Sequence, residues 1–337
     1  MSQFAGTVQA FDALLAPLGY ALQSTATKVE FKRPMFAHTV FAIPDVHLCD
    51  GKGGDIFIAS DPEKPKRFAA VLRALLEYQQ QHPMSSQAIQ LGDWFDIWRI
   101  GAGNARSMAY GAIQNAAVYQ TILDLDAQLG LAHLIGNHDS AFLNSLPMRR
   151  VAQPNLFRLG FWLSQNVYTM HGHQSDFLPP ANAGSDAAWV ALATSIGRFL
   201  PGVTKFEAYV DRLGLLPGIG EWLLSLLLDG RDDPGPQPRS VDQRPAPAVV
   251  RSGSFSVREN TAELANLVRK VGAMQESHGR SADVLIVGHS HVPCAAWTDV
   301  GGKPLFIVDA GGWVYAQANL LIAADDTIAV FDVVPRA

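Results

Sequence analysis

The sequence predicts an α/β layered fold, and three observations predict it. Short apolar runs alternate with amphipathic helical patterns along most of the chain. Each run ends in a polar turn that carries Asp, Asn or His. Hydrophobic residues make up 48% of the 337 against 17% charged, which is enough for a sizeable core. Strands alternating with helices bury their sheets between helical layers. Ligands in such folds gather beyond the strand ends, where loops from several strands converge.

The elements follow in chain order. Phe4, Val8, Phe11, Leu14 and Leu15 have the spacing of a short amphipathic helix within Met1–Leu22. His38–Ile43 is a β-rich run that ends at Pro44-Asp45. Pro65–Gln81 reads as a helix, with Phe68, Val71, Leu72, Leu75 and Leu76 on one face. Ala88–Leu91 is a buried strand ending at Gly92-Asp93, and Tyr110–Leu129 is helical. Leu131–Ile135, Val167–Met170 and Asp283–Val287 are strands that run into Gly136-Asn137, His171-Gly172 and Gly288-His289. Leu305–Val308, Asn319–Ala323 and Thr327–Val333 read as closing strands.

One stretch breaks this alternation. From Asn182 to about Gly253 no strand signal is read, and helical patterns cover Asp186–Leu200, Thr204–Leu213 and Ile219–Leu228. Asp229–Pro247 is rich in Pro and charge and reads as a long exposed loop. A helix over Ser256–Gln275 then returns the chain to the core. The expected organisation is an N-terminal arm or helix (1–33), a core in two parts (34–181 and 254–337), and a helical cap insertion (182–253).

Bulk properties exclude several classes. The net charge of −5 lacks the footprint of a protein that grips a nucleic-acid backbone. Two cysteines, Cys49 and Cys294, cannot build a disulfide framework and fit a reducing compartment. Met1–Leu22 has no basic leader region, and no run of about 18 apolar residues is present, so the expected location is cytoplasmic.

Five clusters carry the chemistry: Asp45-Val46-His47, Gly92-Asp93-Trp94-Phe95-Asp96, Gly136-Asn137-His138-Asp139, His171-Gly172-His173 and Gly288-His289-Ser290-His291. Such nitrogen and oxygen donors suit Mn, Fe, Zn or Ni rather than soft metals. In an extended Asp-x-His or His-x-His segment, alternate residues point the same way and can reach one site. Isolated histidines such as His38, His82, His133 and His278 read as ordinary core or surface residues. Asp50 and Asp55 read as solvated loop residues, and Trp94, Trp98 and Trp313 as core.

The ordered set DxH, GDxxD, GNHD, HGH and GHSH, spread over residues 45–291, resembles the calcineurin-like metallophosphoesterases. That resemblance implies a four-layer sandwich of two mixed β-sheets flanked by helices, and two divalent metal ions. Mn is favoured, with Fe, Zn, Ni or Mg as other occupants. By the same resemblance Asp45, His47 and His291 hold the first ion, Asp93 bridges, and Asn137, His171 and His289 hold the second. His138 is the implied proton donor to the leaving group and, with Asn137, contacts the substrate. Asp96 is implied to orient His138. The implied activity is hydrolysis of a phosphate ester or diphosphate bond.

Within this superfamily, LGDWFDIW with the helical insertion is similar to the UDP-2,3-diacylglucosamine pyrophosphatase-like branch. His138 departs from that branch, which usually carries Arg there. The insertion is unusually apolar (Trp189, Phe199, Trp222 and Leu226–Leu228 among others), with Arg198, Lys205 and Arg212 nearby. It reads as a packed cap, or else as a lid or a peripheral membrane contact. The expected partner is a phosphorylated small molecule or a nucleotide or lipid diphosphate, with no nucleic acid; the sequence leaves oligomeric state open. Three alternatives stand beside this reading. A nuclease would need a basic groove, and a non-catalytic scaffold would show broken ligand positions. A protein phosphatase would use a pair of arginines, for which Arg99 and Arg149 are the positional candidates.

Overall fold

The computed structural model describes residues 2–52, 55–58, 61–96, 111–136, 138, 157–158, 160–172, 250–254, 279–300 and 303–336. Two mixed sheets and a few helices make up the fold. Helix α1 (Gln3–Leu15) opens the chain, capped by the Ser2 hydroxyl, which accepts from Ala5 N at 3.2 Å. Its buried stripe is Phe4, Thr7, Phe11 and Leu15. Strands β1 (Tyr20–Phe31) and β2 (Phe36–Ile43) follow, then α2 (Lys64–Gln81) and β3 (Ser86–Gln90). Helix α3 (Gln120–Leu129) leads into β4 (Ala132–Leu134). Short strands β5 (Phe157–Arg158) and β6 (Gly160–Trp162) precede β7 (Val167–Met170). The remaining strands are β8 (Val250–Ser254), β9 (Val284–Val287), β10 (Cys294–Val300), β11 (Lys303–Asp309), β12 (Asn319–Asp325) and β13 (Thr327–Pro335).

The larger sheet has the order β5-β4-β3-β2-β12-β13-β1-β8, and the smaller one β10-β11-β9-β7-β6. Strands β2, β3, β4 and β5 run parallel, whereas β12, β13, β1 and β8 join them antiparallel. In the small sheet β7, β9 and β11 are parallel, with β6 and β10 antiparallel at the edges. The carboxyl ends of β2, β3 and β4 therefore share one edge of the large sheet. Those of β7, β9 and β11 share one edge of the small sheet.

The sheets pack face to face. Val40 and Ala42 (β2), Ile89 (β3), Leu321 (β12) and Val330 (β13) form one buried cluster with Val284 and Ile286 (β9) and Val308 (β11). Phe31 meets Phe306 edge-on across this seam, with ring centroids 5.8 Å apart. The other face of the large sheet packs on α1, α2 and α3 through Phe11, Phe41, Phe68, Leu75 and Leu320. Each such side chain contributes about 1.5–3 kcal/mol by leaving water. Met170, Leu285, Leu305 and Ile307 form a third cluster on the outer face of the small sheet.

Several sequence expectations change here. The N-terminal segment read as an arm holds a twelve-residue strand, β1, which lies inside the large sheet between β13 and the edge strand β8. A register shift between Ser24 and Lys28 breaks the period-2 signal that would have revealed it. The stretch read as free of strands up to Gly253 ends in β8, an edge strand of mixed polarity held by backbone pairing to β1. The rest of that expected cap, 182–249, lies outside the described residues, as does the expected Ser256–Gln275 helix. The helix expected over Tyr110–Leu129 is divided: residues 111–114 are helical, Ala116 is extended (ψ 109°), and a 3₁₀ turn at Ala117–Tyr119 starts α3. Asp55 is not solvated but buried, accepting from Gly51 N, Phe57 N and the Tyr119 hydroxyl. Trp94 and Trp313 are fully buried, as expected; Trp98 lies outside the described residues.

Candidate metal centre

Loops leaving the two sheets interlock at the shared edge. Leu91 N donates to Ile43 O, Val46 N and His47 N donate to Asp93 O, and Asp96 N donates to Leu48 O, at 2.8–3.1 Å. These bonds zip the loop after β2 to the loop after β3. On the small sheet Gly288 N donates to His171 O at 2.8 Å, which ties the loop after β9 to the one after β7. The loop after β11 joins the two halves, since Trp313 N donates to Asp45 O at 2.7 Å.

This arrangement gathers three donor groups, all buried except for the half-buried His289: Asp45, His47 and His291; Asp93, His171 and His289; and His47, Asp96 and His138. In the first, His47 Nε2 lies 3.2 Å from His291 Nε2, which lies 3.2 Å from Asp45 Oδ2. In the second, His171 Nε2 lies 3.2 Å from His289 Nδ1 and 3.3 Å from Asp93 Oδ2. Asp93 Oδ2 also stands 3.6 Å from His47 Nε2, so one carboxylate oxygen faces both groups. Its partner Oδ1 is fixed by the backbone N–H of His138 at 2.8 Å. In the third group, His138 Nδ1 is 2.9 Å from Asp96 Oδ1, and Asp96 Oδ2 is 3.5 Å from His47 Nδ1, so one carboxylate touches both rings.

Three features make the donor set suit metal ions. First, Asp93 Oδ2 is buried and makes no hydrogen bond, a costly position for a carboxylate oxygen unless a cation is its counterpart. Second, His171 Nδ1 faces Leu91 O at 2.9 Å; with the proton there, the lone pair sits on Nε2, directed into the group. Third, Asp45 and His47 are in the protonation states that ligands need, and the charge on His171 marks where a cation is called for. Burial pushes the Asp45 carboxyl up, but His171, His291 and His47 together outweigh it and hold it below the usual range. Burial and the nearby His138 ring push His47 down, against the pull of Asp96 and Asp93, and so favour neutral imidazole. Burial also opposes charge on His171, yet Asp93 and Asp45 raise it to about 10. Two buried carboxylates thus demand positive charge at that point, which a divalent ion would satisfy in place of the proton.

The backbone is strained at the same place. His47, Asp93, His289 and His291 have φ between 51° and 76° and are four of the six non-glycine left-handed residues among the described residues. Such conformations cost about 1–3 kcal/mol each and gather at functional sites. Close approach also dictates glycine at two positions: a Cβ on Gly136 would overlap Asp93 Oδ1, and one on Gly288 would overlap Asp45 Oδ1.

Asp45, His47, Asp93, Asp96, His138, His171, His289 and His291 are therefore brought to one place, each where its sequence cluster leaves a strand. Asn137, Asp139, His173, Arg99 and Arg149 lie outside the described residues. Cys294 and Cys49 are both buried and form no disulfide. His133, read as an ordinary histidine, is buried against Trp94, and its Nε2 faces Asp126 Oδ1 at 3.0 Å.

Sequence reasoning missed a supporting set. Gln90 Oε1 accepts from Gly92 N at 3.0 Å, and its Nε2 donates to Gly92 O, holding the turn that presents Asp93. Asp309 accepts from Ser290 N and Gly311 N, and Asn319 Oδ1 accepts from Gly312 N at 3.0 Å. Gly312 lies against His291. An acidic or amide residue at the boundary of an apolar strand was the available signal for all three. No protein-family model matches the chain, and no curated protein matches it at a significant level. Among the described residues no helix is long and apolar enough to cross a membrane.

Proposed function

We propose that this chain is a dinuclear metal-dependent phosphoesterase of the calcineurin-like type, with the superfamily's four-layer architecture and a helical cap that ends before β8 at Val250. The observation that carries the reading is the position of Asp93. Its Oδ2 faces His47 Nε2 at 3.6 Å and His171 Nε2 at 3.3 Å, between two donor groups. Asp45, His47 and His291 would hold one divalent ion, and His171, His289 and Asn137 the other, with Asp93 shared. Mn fits this donor set, and Fe, Zn, Ni and Mg are the other candidates. Bound there, such a pair supplies Lewis-acid neutralisation of phosphoryl charge and ionised water at neutral pH.

The protein's own residues do the rest. His138 is buried, with Nδ1 turned to Asp96 at 2.9 Å. That contact fixes the ring and steadies the imidazolium, so Nε2 is the atom that donates a proton to the leaving oxygen. Asp96 acts as a positioning residue for His138 and for His47 together. The substrate in this reading is a phosphorylated small molecule or a nucleotide or lipid diphosphate, selected by the cap.

The test is hydrolysis of p-nitrophenyl phosphate and bis-p-nitrophenyl phosphate by chelated protein, with Mn²⁺, Ni²⁺, Zn²⁺ or Mg²⁺ restored, beside His138→Ala. Metal-dependent turnover that falls at least about a hundredfold in the variant is expected for loss of a general acid. Folded protein that takes up two ions and cleaves neither ester, nor pyrophosphate-linked nucleotides, would refute it.

A further inference from the structure

A second charged feature lies at the far end of the small sheet. An open cleft of about 750 Å³ is lined by Arg33, Gln165, Asn166, Arg280, Ser281, Asp283 and Lys303. Asn166 and Asp283 immediately precede β7 and β9, whose other ends deliver His171 and His289. Four-residue strands at about 3.3 Å per residue put the cleft roughly 13 Å or more from those histidines. It belongs to neither donor group of the metal centre.

The cleft gathers three cations around one carboxylate. Arg33 pairs with Asp283. Arg280 donates through Nη2 to Ser164 O and Gln165 O at 3.3 and 3.2 Å, and its guanidinium lies 4.2 Å from the Trp162 ring centroid. Lys303 Nζ donates to Ser281 Oγ at 2.9 Å. These contacts fix where the charges point, and of the three only Arg33 has a carboxylate partner among the described residues. A guanidinium carries five N–H donors and an ammonium three, more than the protein partners named here consume. Among the described lining residues three cations face one carboxylate, and in a chain of net charge −5 such a gathering of like charge is a departure that repulsion disfavours unless an anion visits.

We infer that this cleft binds a phosphoryl oxyanion, with Arg280 and Lys303 as its principal donors and Arg33 at its rim. Planar guanidinium groups match phosphate oxygens two at a time, and the Trp162 stack holds Arg280 ready for that geometry. The oxyanion is a free phosphate or diphosphate, or the headgroup of an anionic lipid. The inference does not rest on the phosphoesterase reading, because no metal ligand lines the cleft.

The experiment titrates the full-length protein calorimetrically with inorganic pyrophosphate at 0.15 M salt. Arg280→Gln/Lys303→Gln and Arg280→Lys are run alongside, since all these side chains are exposed and their loss leaves the fold intact. The wild type should show a saturable site insensitive to chelation. Arg280→Lys should weaken it about tenfold by losing the fork, and the double variant about a hundredfold. A parallel arm sediments the proteins with phosphatidylcholine vesicles with and without phosphatidic acid. Phosphatidate-dependent binding lost in the double variant identifies a lipid headgroup as the source. Pyrophosphate binding alone, lost in the same variant, identifies a soluble anion. Isotherms that coincide for wild type and double variant, with vesicle binding equally indifferent, overturn the inference.

Discussion

Asp93 carries more of the site than any other residue. Its backbone carbonyl receives two N–H groups from the loop after β2, its Oδ1 is held by His138 N, and its Oδ2 faces both donor groups. Asp96, three residues on, works differently: it touches both His138 and His47, the proton donor and a metal ligand in the proposed reading. Asp96→Asn should therefore lower kcat by about 10- to 100-fold while two metal ions are retained, the usual cost of losing an orienting carboxylate. Steady-state kinetics with metal analysis on one preparation checks it; unchanged kcat would remove the positioning role. These residues were legible because each breaks an apolar run at its end. Asp55 was not, since a lone Asp in a Gly-rich loop looks the same whether solvated or, as here, buried under Tyr119.

At the scale of elements, regularity decided what could be read. Helix α2 and strands β2, β3, β7, β9 and β12 bury continuous or periodic apolar faces, and their positions follow from the sequence. Strand β1 has a bulge and polar faces, β8 is an edge, and β5 and β6 are two and three residues long, so backbone pairing rather than pattern defines them. The turns between strands and ligands depend on close packing that only coordinates reveal. Gly136→Ala is the direct probe, because its Cβ has no space beside Asp93. We expect a loss of about 1–3 kcal/mol in stability, from overpacking, together with weaker uptake of the Asp93-bound ion. Denaturant melts of metal-free protein and metal titration measure the two separately. A variant that matches wild type in both would show that the turn yields freely.

For the molecule as a whole, the two sheets and the described helices meet so that every described donor lies at one end of the packed sheets. A divalent ion that binds only the folded chain adds stability by mass action, about 2.7 kcal/mol at a hundred times its dissociation constant. Chelated protein should accordingly gain several degrees in Tm when Mn²⁺ or Zn²⁺ is restored, and Mg²⁺ at equal concentration should give less because it keeps its water shell. No change with any of these ions would remove the metal assignment independently of any substrate. The partition of the ligands has a further consequence for how the chain reaches its native state. Asp45, His47 and Asp93 ride on the large sheet, whereas His171, His289 and His291 ride on the small one; His47 and His291 are 244 residues apart in the chain. Neither sheet alone carries a complete set. A refolding chain in which the sheets have formed but not yet docked thus lacks the full set for either ion, and tight uptake begins only when the two halves meet. Metal capture then becomes a late, irreversible-looking latch on assembly, and a metal-sensitive dye mixed with refolding protein would register the docking of the sheets rather than their formation.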